Sequence, residues 1–306
     1  MQRYVLWRVI QAIIAIWFVS VIVFGVVRLT GDPLCVMLPP EATQEDYDQM
    51  TIKLGLDRPL PVQYGIFFVG VIHGDLGDSF RFKRPAADVV LERLPATLQL
   101  GVIASLIALA IAVPIGVYSA RRKGTLLDNI TRGFAILGQS LPTFWTGIIL
   151  ILVFAVWLNL FPTSGKGGVQ YFVLPAVTMG YFAAAGIMRL TRSAMLEVLD
   201  SEYIKLARAK GLRESVVVWK HAFKNASLPV LTFSTIIFVR ILAGSVVTET
   251  VFAWPGVGRL VVESVSYRDF PVIQTVVMLM SAMFVAGNLV ADILYAYVNP
   301  KIRYRK

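Results

Sequence analysis

The stretch Leu98–Tyr118 reads LQLGVIASLIALAIAVPIGVY and contains no charged side chain. A helix needs about 20 predominantly apolar residues to cross the hydrocarbon core of a bilayer, so this stretch is long enough to span a membrane. The whole chain has the same character, because 57% of its 306 residues are hydrophobic, 16% are charged and the mean hydropathy is +0.69. Soluble domains carry about 45–50% apolar and about 25% charged residues. The sequence therefore predicts an integral membrane protein.

Five further segments are apolar over a similar length, and together they predict an all-α membrane protein with six transmembrane helices. The six lie near Val9–Val27, Leu98–Tyr118, Phe134–Leu158, Phe172–Leu190, Leu228–Val247 and Val272–Tyr295. Prolines within some of them are compatible with membrane helices, where neighbouring groups satisfy the freed carbonyls. The apolar run after Arg8 is too long for a signal-peptide core and has no small-residue cleavage site, so we expect a retained first span.

The basic residues predict the orientation. If the N-terminus is cytoplasmic, eighteen Lys and Arg fall inside, ten fall outside, and Arg240 lies within a span. The outer ones lie mainly in one loop of more than 60 residues, where charge affects topology weakly. Ten acidic residues also fall between Asp32 and Glu92. We expect both termini in the cytoplasm, in a multi-pass membrane protein. Topology accounts for the net charge of +10, so no nucleic-acid partner is required.

This topology divides the chain into four parts. They are an N-terminal transmembrane helix (1–29), an extracytoplasmic cap loop (30–94), a five-helix core (95–298) that contains an inner loop at 201–225, and a cytoplasmic tail (299–306). Three segments predict an ordered cap. Glu41–Leu54 has helical spacing, Leu60–Ile72 is apolar, and Pro85–Leu94 has the pattern of a short amphipathic helix.

The inner loop reads SEYIKLARAKGLRESVVVWKHAFKNASLPV over 201–230. Glu202–Lys210 favours a helix, and Gly211 is suited to end it because glycine adopts the left-handed conformation without penalty. A second helix is expected over Arg213–Lys224. A helix–glycine–helix unit on the membrane surface suits docking into a groove on another protein. It would equally suit an amphipathic hairpin on lipid headgroups, and the pattern alone leaves both open.

The segment resembles the coupling loop, or EAA loop, of binding-protein-dependent ABC importers, in the version found in the dipeptide/oligopeptide permease family. That version has Tyr-x-x-x-Ala-Arg-Ala-Lys-Gly-Leu, then His-x-x-x-Asn and a proline. The matching residues are Tyr203, Ala207, Arg208, Ala209, Lys210, Gly211, Leu212, His221, Asn225 and Pro229. Lys205-Leu206-Ala207 replaces the Glu-Ala-Ala of the broader superfamily, as is typical of the peptide branch.

The resemblance covers nearly the whole chain. Other stretches that resemble the family are Gly31-Asp32-Pro33, 54–60, 94–98, 251–259 and 299–303. The chain is most similar to the first of the two paired permeases, the subunit with the large loop after helix one. The implied fold is that of a type I, MetI-like importer permease, with both termini inside and an ordered loop between helices 1 and 2.

The resemblance also implies partners. These are a second homologous permease that completes a heterodimer, two cytoplasmic ATPase subunits and an extracytoplasmic substrate-binding protein, with lipid around the spans. The chain has no G-x-x-x-x-G-K-[ST] phosphate loop, so we expect ATP and Mg²⁺ on the partner ATPases and no cofactor on this chain. Of the ten residues that match the coupling-loop motif, all except Pro229 form the expected ATPase-coupling site. The chain itself is not expected to be an enzyme. For His221 and Asn225 we favour structural hydrogen bonding over proton sensing.

Residues in and near the spans are candidates for the translocation path. Arg240 lies deep within a span, where an arginine is costly and should face the protein interior or a water-filled path. It could attract a substrate carboxylate or contact the partner permease, and the sequence leaves both open. The other candidates, with anchoring or packing as the alternative role, are Glu249, Pro142 and Trp145. Trp254, Pro255 and Gly256 are expected in a re-entrant turn at the outer mouth, with an interfacial anchor as the alternative for the tryptophan.

Other functions fit less well. An intramembrane metalloprotease would need H-E-x-x-H, which the sequence lacks. The only histidines and cysteine are His73, His221 and Cys35, so no metal site is expected. A secondary transporter would show internal repeats and ionisable residues at the midplane, and the sequence has no visible repeat and one central charge. Peptides are the expected cargo, and nickel chelates, glutathione or opines are the alternatives.

Overall fold

The computed structural model describes residues 2–29, 34, 42–53 and 55–298. Over these residues the chain is mainly helical, and the β-structure found there is one isolated antiparallel bridge between Asp78 and Pro85. The all-α prediction is therefore confirmed. In chain order the helices are α1 Gln2–Leu29, α2 Gln44–Lys53, α3 Leu60–His73, α4 Ala86–Arg121, α5 Leu126–Ser140, α6 Thr143–Leu150, α7 Gln170–Leu199, α8 Glu202–Ala209, α9 Glu214–Val216, α10 Phe223–Ala243, α11 Ser245–Val251, α12 Val257–Ser266 and α13 Phe270–Val298.

Two π-helical segments extend this series. Ile151–Trp157 continues α6, and Val217–Ala222 joins α9 to α10. The helix expected over Arg213–Lys224 is therefore not separate, because the chain is helical without interruption from Glu214 to Ala243. The short helix expected over Pro85–Leu94 is likewise the first part of α4, which runs helically through Pro95.

Five helices in the described part of the chain are long and apolar enough to cross a membrane, and a sixth span is counted only if a bent pair forms one. That pair is α5 and α6 with its π-helical extension, which meet at 107°. The segment Phe134–Leu158, expected as one span, is therefore a bent helix pair with its break next to Pro142, and its crossing as one span stays a prediction. Leu141 is extended, with φ −85° and ψ 129°, because the residue before a proline is disfavoured in the helical region, and Pro142 starts the next helix.

The contacts divide the described residues into two compact units. The first comprises those of Met1–Thr97 and Pro255–Ala286, and the second those of Leu98–Trp254 and Gly287–Lys306. The core of the first unit is a cluster in which α4, α12 and α13 meet, made of Ala86, Val89, Val90, Val257, Leu260, Val272 and Val276. Ser20 on α1 also lies 2.9 Å from the hydroxyl of Tyr64 on α3.

In the second unit, α7 is the central helix and packs against α5, α6 and α10. Small residues allow this close packing. A Cβ added to Gly180 would lie 2.9 Å from the carbonyl oxygen of Ala104 on α4, so these two helices approach at backbone contact. Such small-residue contacts are typical of helices packed in membranes, where backbone proximity rather than apolar burial holds neighbours together.

Candidate functional site

The helix–glycine–helix segment is anchored on the chain's own core. Ile204 on α8 and Val217, Val218 and Ala222 on the π-helical segment are buried in one cluster with Met195 of α7. Ala207 is half-buried and packs against the same cluster. One face of the segment is therefore fixed, and burial of these apolar side chains stabilises its position.

The segment also carries four large side chains that are partly exposed, and one of them, Trp219, packs edge-to-face against Tyr118 and Phe223. Tyr203 is 44% exposed, Leu206 56%, Leu212 41% and Trp219 39%. Ala209 and Lys210 are also exposed. Large apolar side chains exposed among polar residues are a feature of interaction sites. We call Tyr203, Leu206, Leu212 and Trp219 the coupling patch.

Gly211 sets the turn between the two helices. Its φ is +75°, and a Cβ at this position would meet nothing within 4 Å. The glycine is therefore required by the left-handed backbone, which L side chains rarely adopt, and not by lack of space. Hydrogen bonds from Gly211 N to Arg208 O (2.9 Å) and from Leu212 N to Ala207 O (3.4 Å) close the end of α8.

Side-chain contacts brace this turn. Arg208 donates to both carboxylate oxygens of Glu214, at 3.2 and 2.9 Å, and this hydrogen-bonded carboxylate raises the pKa of Arg208. Asn225 donates to the Tyr203 hydroxyl at 2.6 Å, which joins two residues that the sequence placed in the coupling site. His221 is half-buried and makes no side-chain hydrogen bond within the described residues.

A buried carboxylate ties α5 to α7, and sequence reasoning missed it. Asp128 is fully buried and accepts hydrogen bonds from Arg192 Nε (2.6 Å), Arg192 Nη2 (2.9 Å), Ser119 Oγ (2.7 Å) and Gly124 N (3.0 Å). The forked contact with Arg192 is the strong bidentate arrangement of an arginine–carboxylate pair. The sequence offered one indication of this contact, because Asp128 is the single acidic residue among the basic residues that follow α4.

Arg240 lies beside a cavity of about 340 Å³. The residues lining this Arg240 cavity are Thr143, Met179, Phe182, Ile237, Arg240, Ile241, Gly244, Val247 and Thr248. The lining is mainly apolar, and Arg240 is its one charged residue. The side chain is exposed and has no hydrogen-bond or ion-pair partner among the described residues. Such a site can hold an apolar molecule that carries one negative charge.

The other path candidates have different surroundings. Glu249 is fully buried on α11, and Trp145 on α6 is 45% exposed. Pro142 caps α6 at the bend, with an extended backbone. None of these three residues lines the Arg240 cavity, but Thr143 and Thr248, the chain neighbours of Pro142 and Glu249, do.

Trp254 is enclosed in the second unit. It is fully buried, its ring packs edge-to-face against Phe172 at 4.6 Å, and the ammonium of Lys166 lies 5.7 Å from the ring centroid. Burial of the indole by the chain's own residues favours the re-entrant turn over an interfacial anchor, which would reach the headgroup region, and both stay predictions. Pro255 is half-buried, and Gly256 is buried and caps α12, accepting from Leu260 N at 3.1 Å.

The first unit contains a second buried carboxylate that the sequence did not reveal. Asp269 accepts hydrogen bonds from the Ser79 hydroxyl (2.5 Å), Phe80 N (3.1 Å) and Arg81 N (3.2 Å). The Arg81 guanidinium instead stacks on Tyr267 at 3.9 Å and lies 3.6 Å from Glu263. Asp269 thus holds the turn at 79–81 through neutral donors.

The long apolar helices define the class of this chain as a multi-pass membrane protein. The sequence matches the family described as "Binding-protein-dependent transport system inner membrane component" over residues 112–304, and the corresponding N-terminal family over residues 1–101. The chain belongs to this family of binding-protein-dependent transport system permeases.

Two relatives match over nearly their full length. The chain is 37% identical to the dipeptide transport system permease protein DppB of Escherichia coli K12, covering 94% of this chain and 95% of that one. It is 40% identical to the glutathione transport system permease protein GsiC of Escherichia coli O6:H1, covering 100% of both. Both relatives are named as transport permeases, and this chain is likewise a transport subunit and not an enzyme.

A solved structure agrees on the fold. A chain of the MetNI methionine ABC transporter, in inward facing conformations, superposes with a TM-score of 0.58 at 20% identity. The match covers 69% of this chain and 96% of the MetNI chain. Over this part of the chain the MetI-like fold inferred from the sequence is therefore confirmed, whereas six spans and two cytoplasmic termini stay predictions.

Proposed function

We propose that this chain forms half of the translocation path of an ABC importer for dipeptides and oligopeptides, and that a cytoplasmic ATPase drives it through the coupling patch. The observation that carries the proposal is the helix–glycine–helix segment, in which one face is fixed in the core and the other presents exposed Tyr203, Leu206 and Leu212. A rigid element of this kind transmits a movement of its partner to α7 and α10, because its buried face is continuous with theirs.

In this proposal both termini and the coupling patch are cytoplasmic. A second homologous permease completes the path as a heterodimer, two ATPase subunits bind ATP and Mg²⁺, and a substrate-binding protein delivers cargo from outside. The membrane is the bacterial inner membrane. The distribution of basic residues supports this orientation.

Peptide is the proposed cargo because DppB and GsiC, two relatives with full-length similarity, are named for dipeptide and glutathione transport. The Arg240 cavity also supports it, since an apolar lining with one guanidinium suits a molecule with an apolar side chain and a carboxylate. Glutathione is the second candidate, and nickel chelates and opines are further alternatives.

The coupling role is tested with Leu212→Asp in the complete complex. A charge in the coupling patch should prevent the ATPase subunits from co-purifying and should abolish ATP-driven uptake in proteoliposomes, because a buried unpaired carboxylate is costly at an interface. Ile52→Asp is the matched control, since Ile52 is also an exposed apolar residue but lies on α2 in the cap. Normal ATPase retention in Leu212→Asp would contradict the proposal.

The path role of Arg240 is tested separately. Arg240→Gln should reduce peptide uptake while the assembled complex keeps its basal ATPase activity, and Arg240→Lys should retain part of the uptake because it keeps the charge. Loss of the partner permease from Arg240→Gln complexes would instead show that Arg240 is an interface residue.

Sidedness is tested with single cysteines, because the chain has one native cysteine, Cys35, which can be replaced by serine. In intact spheroplasts a membrane-impermeant maleimide should label Lys166→Cys and should not label Lys220→Cys. The reverse pattern would overturn the proposed orientation.

A further inference from the structure

A second cavity, of about 290 Å³, lies between α5 and α7. The residues lining this arginine cavity are Thr131, Arg132, Ala135, Ile136, Arg189 and Arg192. Half of them are arginines and none is acidic. The proposed function has used neither this cavity nor Arg189.

The charges around the arginine cavity are not balanced. Arg192 is engaged by Asp128, and Arg132 donates to Asn129 and lies 3.7 Å from the same Asp128 carboxylate. Arg189 is exposed and has no hydrogen-bond or ion-pair partner among the described residues. The Asp128 carboxylate is thus shared by two guanidinium groups, and Arg189 adds a third positive charge to the lining, so the cavity carries excess positive charge that can hold an anionic group.

The arginine cavity and the Arg240 cavity lie on one face of α7. Phe182 lines the Arg240 cavity and Arg189 lines the arginine cavity. Residues seven apart on an α-helix share a face and are about 10 Å apart along its axis. Between them lies Gly186, where an added Cβ would be 3.3 Å from the Phe233 ring and 3.8 Å from the Gln139 amide. At this point α5, α7 and α10 converge.

We infer that the arginine cavity is a second cationic binding site for the substrate, in which Arg189 contacts a carboxylate of a peptide that has left the Arg240 cavity. The inference rests on the proposed function of this chain as half of a peptide path. Arg189 offers a planar fork of donors that matches a carboxylate, Arg132 adds charge, and Asp128 positions Arg192.

Two sites are physically useful because the substrate must be able to leave each site after it has bound. A single strong site would retain the substrate, whereas successive weaker sites allow it to enter and to leave. An arginine that has no partner within the described part of the chain and is open to the cavity provides such a weak site, because the guanidinium keeps part of its hydration when the substrate binds. Arg189 thereby favours substrates with additional negative charge, such as peptides with an acidic side chain.

The test compares uptake of alanyl-glutamate and alanyl-lysine by the complete complex in proteoliposomes, at concentrations that saturate the binding protein. Arg189→Gln should lower the glutamate-to-lysine uptake ratio by about threefold and Arg189→Glu by about tenfold, as expected for a charge a few ångströms from the substrate in a solvated site. Arg122→Glu is the matched control, because Arg122 is exposed just after α4 and does not line the cavity.

The outcomes are distinguishable. A fall that is equal for both peptides would overturn the inference, as would an effect that appears only with anionic phospholipid or a loss of the partner permease from Arg189→Glu complexes. An unchanged ratio in complexes that still import both peptides would reject this site and leave the proposed function intact. Absence of ATP-driven peptide uptake in the unmodified complex would reject the proposed function itself.

Discussion

Asp128 and Asp269 are both buried carboxylates at the ends of helices, but they are stabilised in different ways. Asp128 is neutralised by the forked guanidinium of Arg192, with Ser119 and Gly124 as additional donors. Among the residues that the structure describes, the donors to Asp269 are all neutral: the Ser79 hydroxyl and two backbone N–H groups. The ion pair depends on the charge of another helix, whereas the second arrangement depends on the geometry of one turn. Substitutions at the two sites should therefore have unequal costs.

Asp128→Ala should have the largest effect. It leaves the largely buried Arg192 guanidinium without its carboxylate, and breaking a buried pair from one side costs about 3 kcal/mol or more. The free energy of unfolding, measured by SDS titration in mixed micelles, should fall by this amount. Asp200→Ala is the control, since Asp200 is exposed and its loss should change stability little.

Removing both charges tests whether the ion pair is the cause. Asp128→Asn combined with Arg192→Gln should be more stable than the sum of the two single effects predicts, with an interaction energy of about 2 kcal/mol from the double-mutant cycle. Additive single effects would show that Asp128 acts mainly through Ser119 and Gly124, as Asp269 acts through its turn.

Asp269→Asn should have a smaller effect. The substitution replaces one carboxylate oxygen by an amide NH2 group, which cannot accept a hydrogen bond from the donor that it faces. One or two hydrogen bonds are therefore lost, at about 1 kcal/mol each. The same SDS titration measures the change, and Ser79→Ala should reproduce part of it. A loss as large as that of Asp128→Ala would remove the distinction between the two sites.

The smallest effect is expected at the rim of the Asp269 turn. Arg81 and Glu263 are 38% and 30% exposed and lie 3.6 Å apart, and exposed pairs contribute about 0–1 kcal/mol. Glu263→Gln should change the free energy of unfolding by less than Asp269→Asn does. Raising the salt concentration should reduce the difference further, because screening weakens exposed pairs more than buried ones.

Sequence reasoning found what depends on local patterns. Apolar length revealed the long helices, and the glycine after a helix-forming run identified Gly211, whose φ is positive. The break at Pro142 was marked by the proline, but its 107° angle depends on how α5 and α6 pack. Such packing cannot be read from the local pattern.

The candidate site shows the same limit. Tyr203 and Asn225 were named from a motif and prove to be hydrogen-bonded, because both lie in one short segment. Asp128 and Arg192 are 64 residues apart, and Ser79 and Asp269 are 190 apart. Pairing at such separations is set by the tertiary fold. Arg240 was recognised as an unusual charge, but its cavity is formed by residues from four helices.

The enclosure of Trp254 has a practical consequence for spectroscopy. The chain has six tryptophans, and the other five, Trp7, Trp17, Trp145, Trp157 and Trp219, are each at least 39% exposed. In the purified chain, water-soluble and lipid-borne quenchers together can reach those five indoles, whereas Trp254 is shielded from both. The fluorescence that survives combined quenching would come from one ring, and its wavelength would report the opening of the pocket around Phe172.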